Sequence, residues 1–223
     1  MRKIKASQIV VFVGLFGVAV ALSALSAWVL LGPLPLGDFR GVVVSGAWFV
    51  LFYAYAICFY RLFLSMWPLH PGEISAGSRQ EFVYHVYILF YLMLFYPVMR
   101  SGFMPTPLMR LFYLALGTRL GDNTYSQGIL HDPPFIEIGQ DSVVGQYALL
   151  IPHVIEGARL GHYPIKIGNH VTIGAHASVL SDVTIGDGAI VATGAVVRKG
   201  TRIGAGEIWG GVPAVKIGQA PSA

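Results

Sequence analysis

Cysteine and charge are the two scarcities of this sequence: among 223 residues there is one cysteine, Cys58, and only 12% are charged. A lone cysteine excludes an intrachain disulfide framework and any cysteine-based metal cluster. An ordinary soluble domain carries about 25% charge. The low charge, with 55% hydrophobic residues and a mean hydropathy of +0.64, excludes a wholly soluble globule. Acidic residues are scarcest at the front, where residues 1–116 hold three against eight Lys/Arg, while residues 117–223 hold eight against seven. The basic pI therefore belongs to the first half. Beyond Arg2, Lys3 and Lys5 no basic cluster interrupts it, so no nucleic-acid partner is expected. There is no Walker-type or dinucleotide glycine motif, so ATP and NAD are not indicated.

What the first half has instead is long apolar runs. No charge occurs between Lys5 and Asp38, and as a helix the stretch Gln8 to Leu31 would reach about 36 Å, enough for a bilayer core. It is too long for a secretory signal, whose apolar region is about 7–15 residues. A second run, 41–66, ends near Arg61 and Trp67, residues suited to an interface. The connector Gly32 to Arg40 predicts a tight turn and hence a helical hairpin. A third segment, 82–99, holds His85 and Pro97 and is rich in Tyr and Phe, so it is expected to re-enter or lie at the interface. Residues 104–116 read as an amphipathic connector along the headgroups, with a packed connector as the plainer reading. Arg2, Lys3 and Lys5 against Arg40 alone predict a cytoplasmic N-terminus, and two spans return the chain to the cytoplasm. The expected division is a membrane domain over 1–117 and a second domain over 118–223.

The second half has 18 of the 27 glycines and a period of six: Ile167, Ile173, Val179, Ile185, Val191, Val197 and Ile203 are all branched aliphatics. The register recurs at Ile138, Val144 and Leu150. Such a period predicts a triangular coil, with one aliphatic pointing inward per face and three hexapeptides per rung. The expected fold is an N-terminal α-helical transmembrane domain followed by a left-handed parallel β-helix, an exception to the right-handed crossover rule. Between Leu150 and Ile167 lie five residues more than two repeats, so Pro152 to Tyr163 must include a loop that leaves the prism. It carries His153, Glu156, Arg159 and His162.

The segments Pro164-Ile-Lys-Ile-Gly-Asn-His-Val-Thr-Ile-Gly174, Val183-Thr-Ile-Gly-Asp-Gly-Ala189, Ala195-Val-Val-Arg-Lys199 and Gly211-Val-Pro-Ala214 resemble the hexapeptide-repeat acyltransferases, nearest the branch of galactoside, maltose and xenobiotic O-acetyltransferases. Thr172 stands where that branch often has Trp, and the basic residue after Pro-Ala is displaced to Lys216. The resemblance implies an acyl-CoA donor, acetyl-CoA in the expected case, no metal, and a homotrimer of side-by-side coils. It also implies that a histidine just ahead of the Pro-Ile-x-Ile-Gly segment acts as general base. His153 is the positional match, with His162 as runner-up, and an imidazole suits that task near neutral pH. Glu156 could orient the ring. His131 and Asp132 fall where the resembling enzymes bind acceptor, although Asp132-Pro133 also reads as an ordinary turn. Ala175 and Thr193 match positions flanking the pantetheine arm, with Arg198, Lys199 and Lys216 for the phosphates.

The expected function is thus a membrane-anchored acyltransferase acting on a hydroxyl or amine of a lipid or lipid-linked acceptor, with the coil facing the cytoplasm. Two alternatives stand beside it. One is a zinc-dependent, carbonic-anhydrase-like enzyme on the same coil, which needs three histidines on one metal, with His131, His170 and His176 as the only set. The other is a non-catalytic membrane-anchored scaffold.

Overall fold

The structure, a computed structural model, describes residues 2–221. The chain divides into two compact units: a helical unit of residues 2–69 and 79–93, and a coil unit of residues 70–78 and 94–221. This differs from the expected boundary at 117/118, because residues 94–117 and a short segment between the second and third helices belong with the coil.

In the helical unit, α1 (Ala6–Leu31) and α2 (Arg40–Met66) form the expected hairpin. Ala19, Ser23 and Ala27 recur on one buried stripe of α1, and such small residues let two helices approach closely. Ser26 Oγ and Tyr55 Oη share a hydrogen bond of 2.8 Å. Phe16 meets Phe52 edge-on at 5.6 Å, and Phe12 meets Phe90 of α3 (Arg79–Phe90) at 5.1 Å. Away from these contacts Val10, Trp28, Val42 and Val50 are exposed, an apolar exterior of the kind that marks an interaction surface.

The third helix is longer than the expected segment. Three helices, Ala6–Leu31, Gly37–Met66 and Arg79–Arg100, are long and apolar enough to cross a membrane. The third is not regular, since a π-helical turn at Tyr91–Phe95 separates α3 from α4 (Tyr96–Arg100). Pro97 explains the turn, because it has no N–H to bond one turn back and its ring crowds that carbonyl.

In the coil unit the hexapeptide register builds three parallel sheets. Ile138, Ile167, Ile185 and Ile203 stack inward on the first face, Val144, Ile173 and Val191 on the second, and Leu130, Leu150, Val179 and Val197 on the third. All are buried. The last strand of the second face, Glu207–Gly211, turns back on Ala214–Gln219 as an antiparallel hairpin.

The N-terminal end is covered by α5 (Thr106–Leu116), whose Met109, Phe112, Tyr113 and Leu116 are buried. Tyr113 Oη donates to Gly128 O at 2.9 Å and accepts the Leu130 N–H, while Arg110 donates to the carbonyls of Gly121 and Thr124. Gly117, at φ 110°, ends the helix in the left-handed conformation that frees its N–H for Tyr113 O. One face of α5 is thus packed against the coil. Leu108 and Leu111 on its opposite face remain exposed.

Candidate active site

The third corner of the prism, where the chain passes from the third face to the first, is where the register breaks. Two successive visits to this corner carry His131 and Asp132, then the hairpin His153–Glu156 and Arg159–His162. A third visit brings Ser181 and Asp182, and a fourth Arg198 and Lys199. The prism thus gathers residues far apart in sequence.

Asp132 holds φ 46°, a left-handed conformation that aspartate tolerates, and the following Pro133–Phe135 turn fixes it by Phe135 N–H to Asp132 O at 2.9 Å. Its carboxylate is 1% exposed and bonds His153 Nδ1 through Oδ2 at 2.5 Å. His162 Nε2 stands 3.7 Å from the other oxygen, Oδ1. His153 is 29% exposed, so its side chain keeps access to solvent.

Burial alone would raise the pKa of Asp132, but the His153 hydrogen bond, with His162 beside it, holds it well below the usual carboxylate range. For His153 burial disfavours the cation, yet the bonded carboxylate outweighs it and the pKa is raised. His131, edge-on to His153 at 5.8 Å and tilted against Tyr96 at 5.6 Å, is lowered by desolvation to about 4. One corner thus holds a neutral imidazole beside an imidazole that accepts a proton readily.

The expected roles change accordingly. Glu156 does not orient His153. It points into solvent and binds Lys199 Nζ through both oxygens, at 2.7 and 2.8 Å, which also lowers its pKa. The carboxylate bonded to His153 is instead that of Asp132, a residue expected to meet the acceptor. Counting rungs would have revealed the pairing, since Leu130 lies beside Leu150 and each is followed at once by the third corner.

The residues assigned to the cofactor do not converge within one chain. Ala175 and Thr193 stack on successive rungs at the second corner, where Gly194 N–H bonds Ala175 O at 2.9 Å. Thr193, Arg198 and Lys199 are exposed. Lys216 Nζ is held by Glu207 at 2.9 Å, and that bond helps lower Glu207 to about 2. Arg198 suits phosphate, while Lys199 and Lys216 must exchange a carboxylate partner to do so. A cavity of about 200 Å³ beside the hairpin is lined by Val154, Tyr163, Ser181, Asp182 and Lys199.

His131, His170 and His176 stand on three different corners. His170 faces Asp141 at 3.9 Å and His176 lies on Tyr147 at 5.2 Å. Among the described residues no group of three His, Cys, Asp or Glu is placed to hold a metal ion. The zinc reading loses its ligand set within the chain.

Residues 164–199 match the family model for the bacterial transferase hexapeptide (six repeats). That match implies the left-handed sense of the coil and takes in Ala175, Thr193, Arg198 and Lys199, but it begins after the hairpin with His153. No curated protein sequence matches the chain significantly. Among solved structures, a hexapeptide-repeat containing acetyltransferase from Vibrio cholerae complexed with acetyl coenzyme A is 23% identical with a TM-score of 0.44, over 48% of this chain and 62% of that one. A maltose O-acetyltransferase from Clostridium difficile 630 gives the same identity, TM-score and coverage. A galactoside acetyltransferase in complex with coenzyme A is 22% identical with a TM-score of 0.45, over 58% of this chain and 78% of that one. This chain thus spans less than two thirds of the length of the first two structures.

Proposed function

We propose that the chain is a membrane-anchored acyltransferase that moves an acyl group, acetyl in the simplest case, from acyl-CoA to a hydroxyl or amine of a lipid or lipid-linked acceptor. The observation that carries the reading is the bond between His153 Nδ1 and Asp132 Oδ2 at 2.5 Å. It fixes the ring and its tautomer, so that Nε2 is the atom offered to a substrate. Nε2 takes the proton as the acceptor O–H or N–H attacks the thioester carbonyl. The acceptor–carbon bond forms, the tetrahedral intermediate collapses, the carbon–sulfur bond breaks, and the thiolate recovers the proton from His153. Asp132 stabilises the intervening imidazolium without itself becoming protonated. Backbone N–H groups of the coil are the donors available to the oxyanion.

The donor class follows from the hexapeptide match and from the motif resemblance. In a homotrimer of side-by-side coils, the second corner of one chain, with Ala175 and Thr193, faces the third corner of the next. This gives a use to positions that one chain keeps apart. The lipidic acceptor is supported by the apolar exterior of α1 and α2.

A topology of two spans with a cytoplasmic coil is supported by the basic flanks of the first span, Arg2, Lys3 and Lys5 on one side against Arg40 on the other.

The test is thiol release from acyl-CoA by the purified full chain in lipid, with wild-type and His153→Ala protein compared. Acceptor-dependent release by the wild type alone is the expected result. Equal turnover by the two proteins would overturn the role of His153, and no turnover by either would favour the scaffold reading.

A further inference from the structure

His162 was the second histidine of the loop, and the proposed reaction gives it no proton to carry. It is nonetheless among the most completely enclosed polar side chains of the coil unit, at 0% exposure. Its ring lies flat on Phe135, with centroids 4.3 Å apart and planes within 5°. In the hairpin it is the direct cross-strand partner of His153, so the two side chains share one face. On its other side it pairs with Gly72, in the strand Gly72–Glu73 supplied by the segment between α2 and α3. That strand is seated closely: Ile74 N–H bonds Leu160 O at 2.7 Å, Ile74 is buried, and a Cβ on Gly161 would lie 2.7 Å from Gly72 O. Backbone on both sides and an aromatic stack beneath confine the plane of the His162 ring.

That orientation aims Nε2 at Asp132 Oδ1, 3.7 Å away, while Oδ2 holds His153. A carboxylate bonded through one oxygen only can rotate about its Cβ–Cγ bond, and the rotation would swing His153 with it. A second imidazole beside the other oxygen narrows that rotation, and with it the direction of His153 Nε2. We propose that His162 is a positioning residue, acting through Asp132 to aim His153, and that the strand Gly72–Glu73 holds His162 in place. The inference rests on His153 as the base of the proposed reaction and extends it to a third side chain and to a segment outside the hexapeptide repeats.

The test uses the full-length protein in lipid nanodiscs with ¹⁵N-labelled histidine, the His153 resonances being assigned by loss in a His153→Gln protein. His162→Leu removes the imidazole and keeps an apolar surface for Phe135. His162→Gln keeps an N–H donor near the same place. The expected result is that His162→Leu lowers kcat about 10- to 100-fold, the scale of an angstrom-sized misplacement, with KM for acyl-CoA unchanged. In that variant the hydrogen-bonded Nδ1 resonance of His153 should move, and His162→Gln should restore both. Wild-type kcat and an unmoved His153 resonance in His162→Leu would overturn the proposal. So would loss of the coil's circular dichroism in both variants, which would make the role one of folding alone. If the wild type releases no thiol, the functional reading fails by itself, and the resonance comparison still decides whether His162 aims His153.

Discussion

His153 and Asp132 are joined by a 2.5 Å hydrogen bond although a full rung of the coil separates them in sequence. Nothing local brings them together. The inward aliphatics Leu130 and Leu150 stack, the chain turns the same corner after each, and the two polar side chains meet on the outside of that corner.

The bond has a sign that kinetics can read. A general base works in its neutral form, and the raised pKa of His153 places the acid limb of kcat/KM above the ordinary histidine value of about 6.5. Asp132→Asn is expected to move that limb downward and to lower kcat by about 10²- to 10⁴-fold, as loss of an orienting carboxylate does elsewhere. An unchanged limb in a pH profile of the variant would separate Asp132 from the base.

Glu156→Gln should leave kcat unchanged, since Glu156 binds Lys199 rather than His153. It releases the Lys199 ammonium, so KM for acyl-CoA should fall if that cation meets a phosphate. Steady-state kinetics of the single variant and of Glu156→Gln with Lys199→Met distinguish the two effects, because the double variant should lose the gain.

His131 makes the corner sensitive to acid. Its pKa is lowered to about 4, so its contribution to stability is complete above its unfolded value of about 6.5 and is lost progressively as pH falls toward 4. His131→Asn should flatten the pH dependence of Tm in that window. Thermal unfolding between pH 7 and pH 4 measures it.

The inward column fails differently. Ile185 is 1% exposed between Ile167 and Ile203, and Ile185→Ala should cost about 2–5 kcal/mol of coil stability. Denaturant unfolding monitored by circular dichroism reports this without any assumption about substrate.

The membrane arrangement can be mapped with the native cysteine removed by Cys58→Ser. Ser78→Cys and Ser101→Cys lie at the two ends of the third helix and should react from the same side with a reagent that cannot cross the bilayer. Opposite sidedness would make that helix a third span.

The inward column was legible in the sequence because each face admits only a branched aliphatic at every sixth position, a constraint strong enough to read from one chain. The loop was legible as a fault in that period, and within it His153 was marked by the resemblance alone. The bond between Asp132 and His153 was not legible, because Glu156 is a rival at closer sequence range and only the return of the coil decides between them. The boundary at 117 was drawn where composition changes, yet Phe112 and Tyr113 are buried on the coil. The strand Gly72–Glu73 had no signal, since two residues carry no period and their partners lie far down the chain.

That strand also sets an order of assembly. Residues 72–74 leave the ribosome directly after the first two apolar helices and well before residues 159–162, with which they pair. Until then their backbone N–H and C=O groups stay open as an unpaired edge, and the contact that closes it has high sequence separation and forms slowly. The hairpin bearing His153 therefore gains its outer strand only where the earlier helices have already been delivered. A coil released without them would lack the strand that pairs with His162.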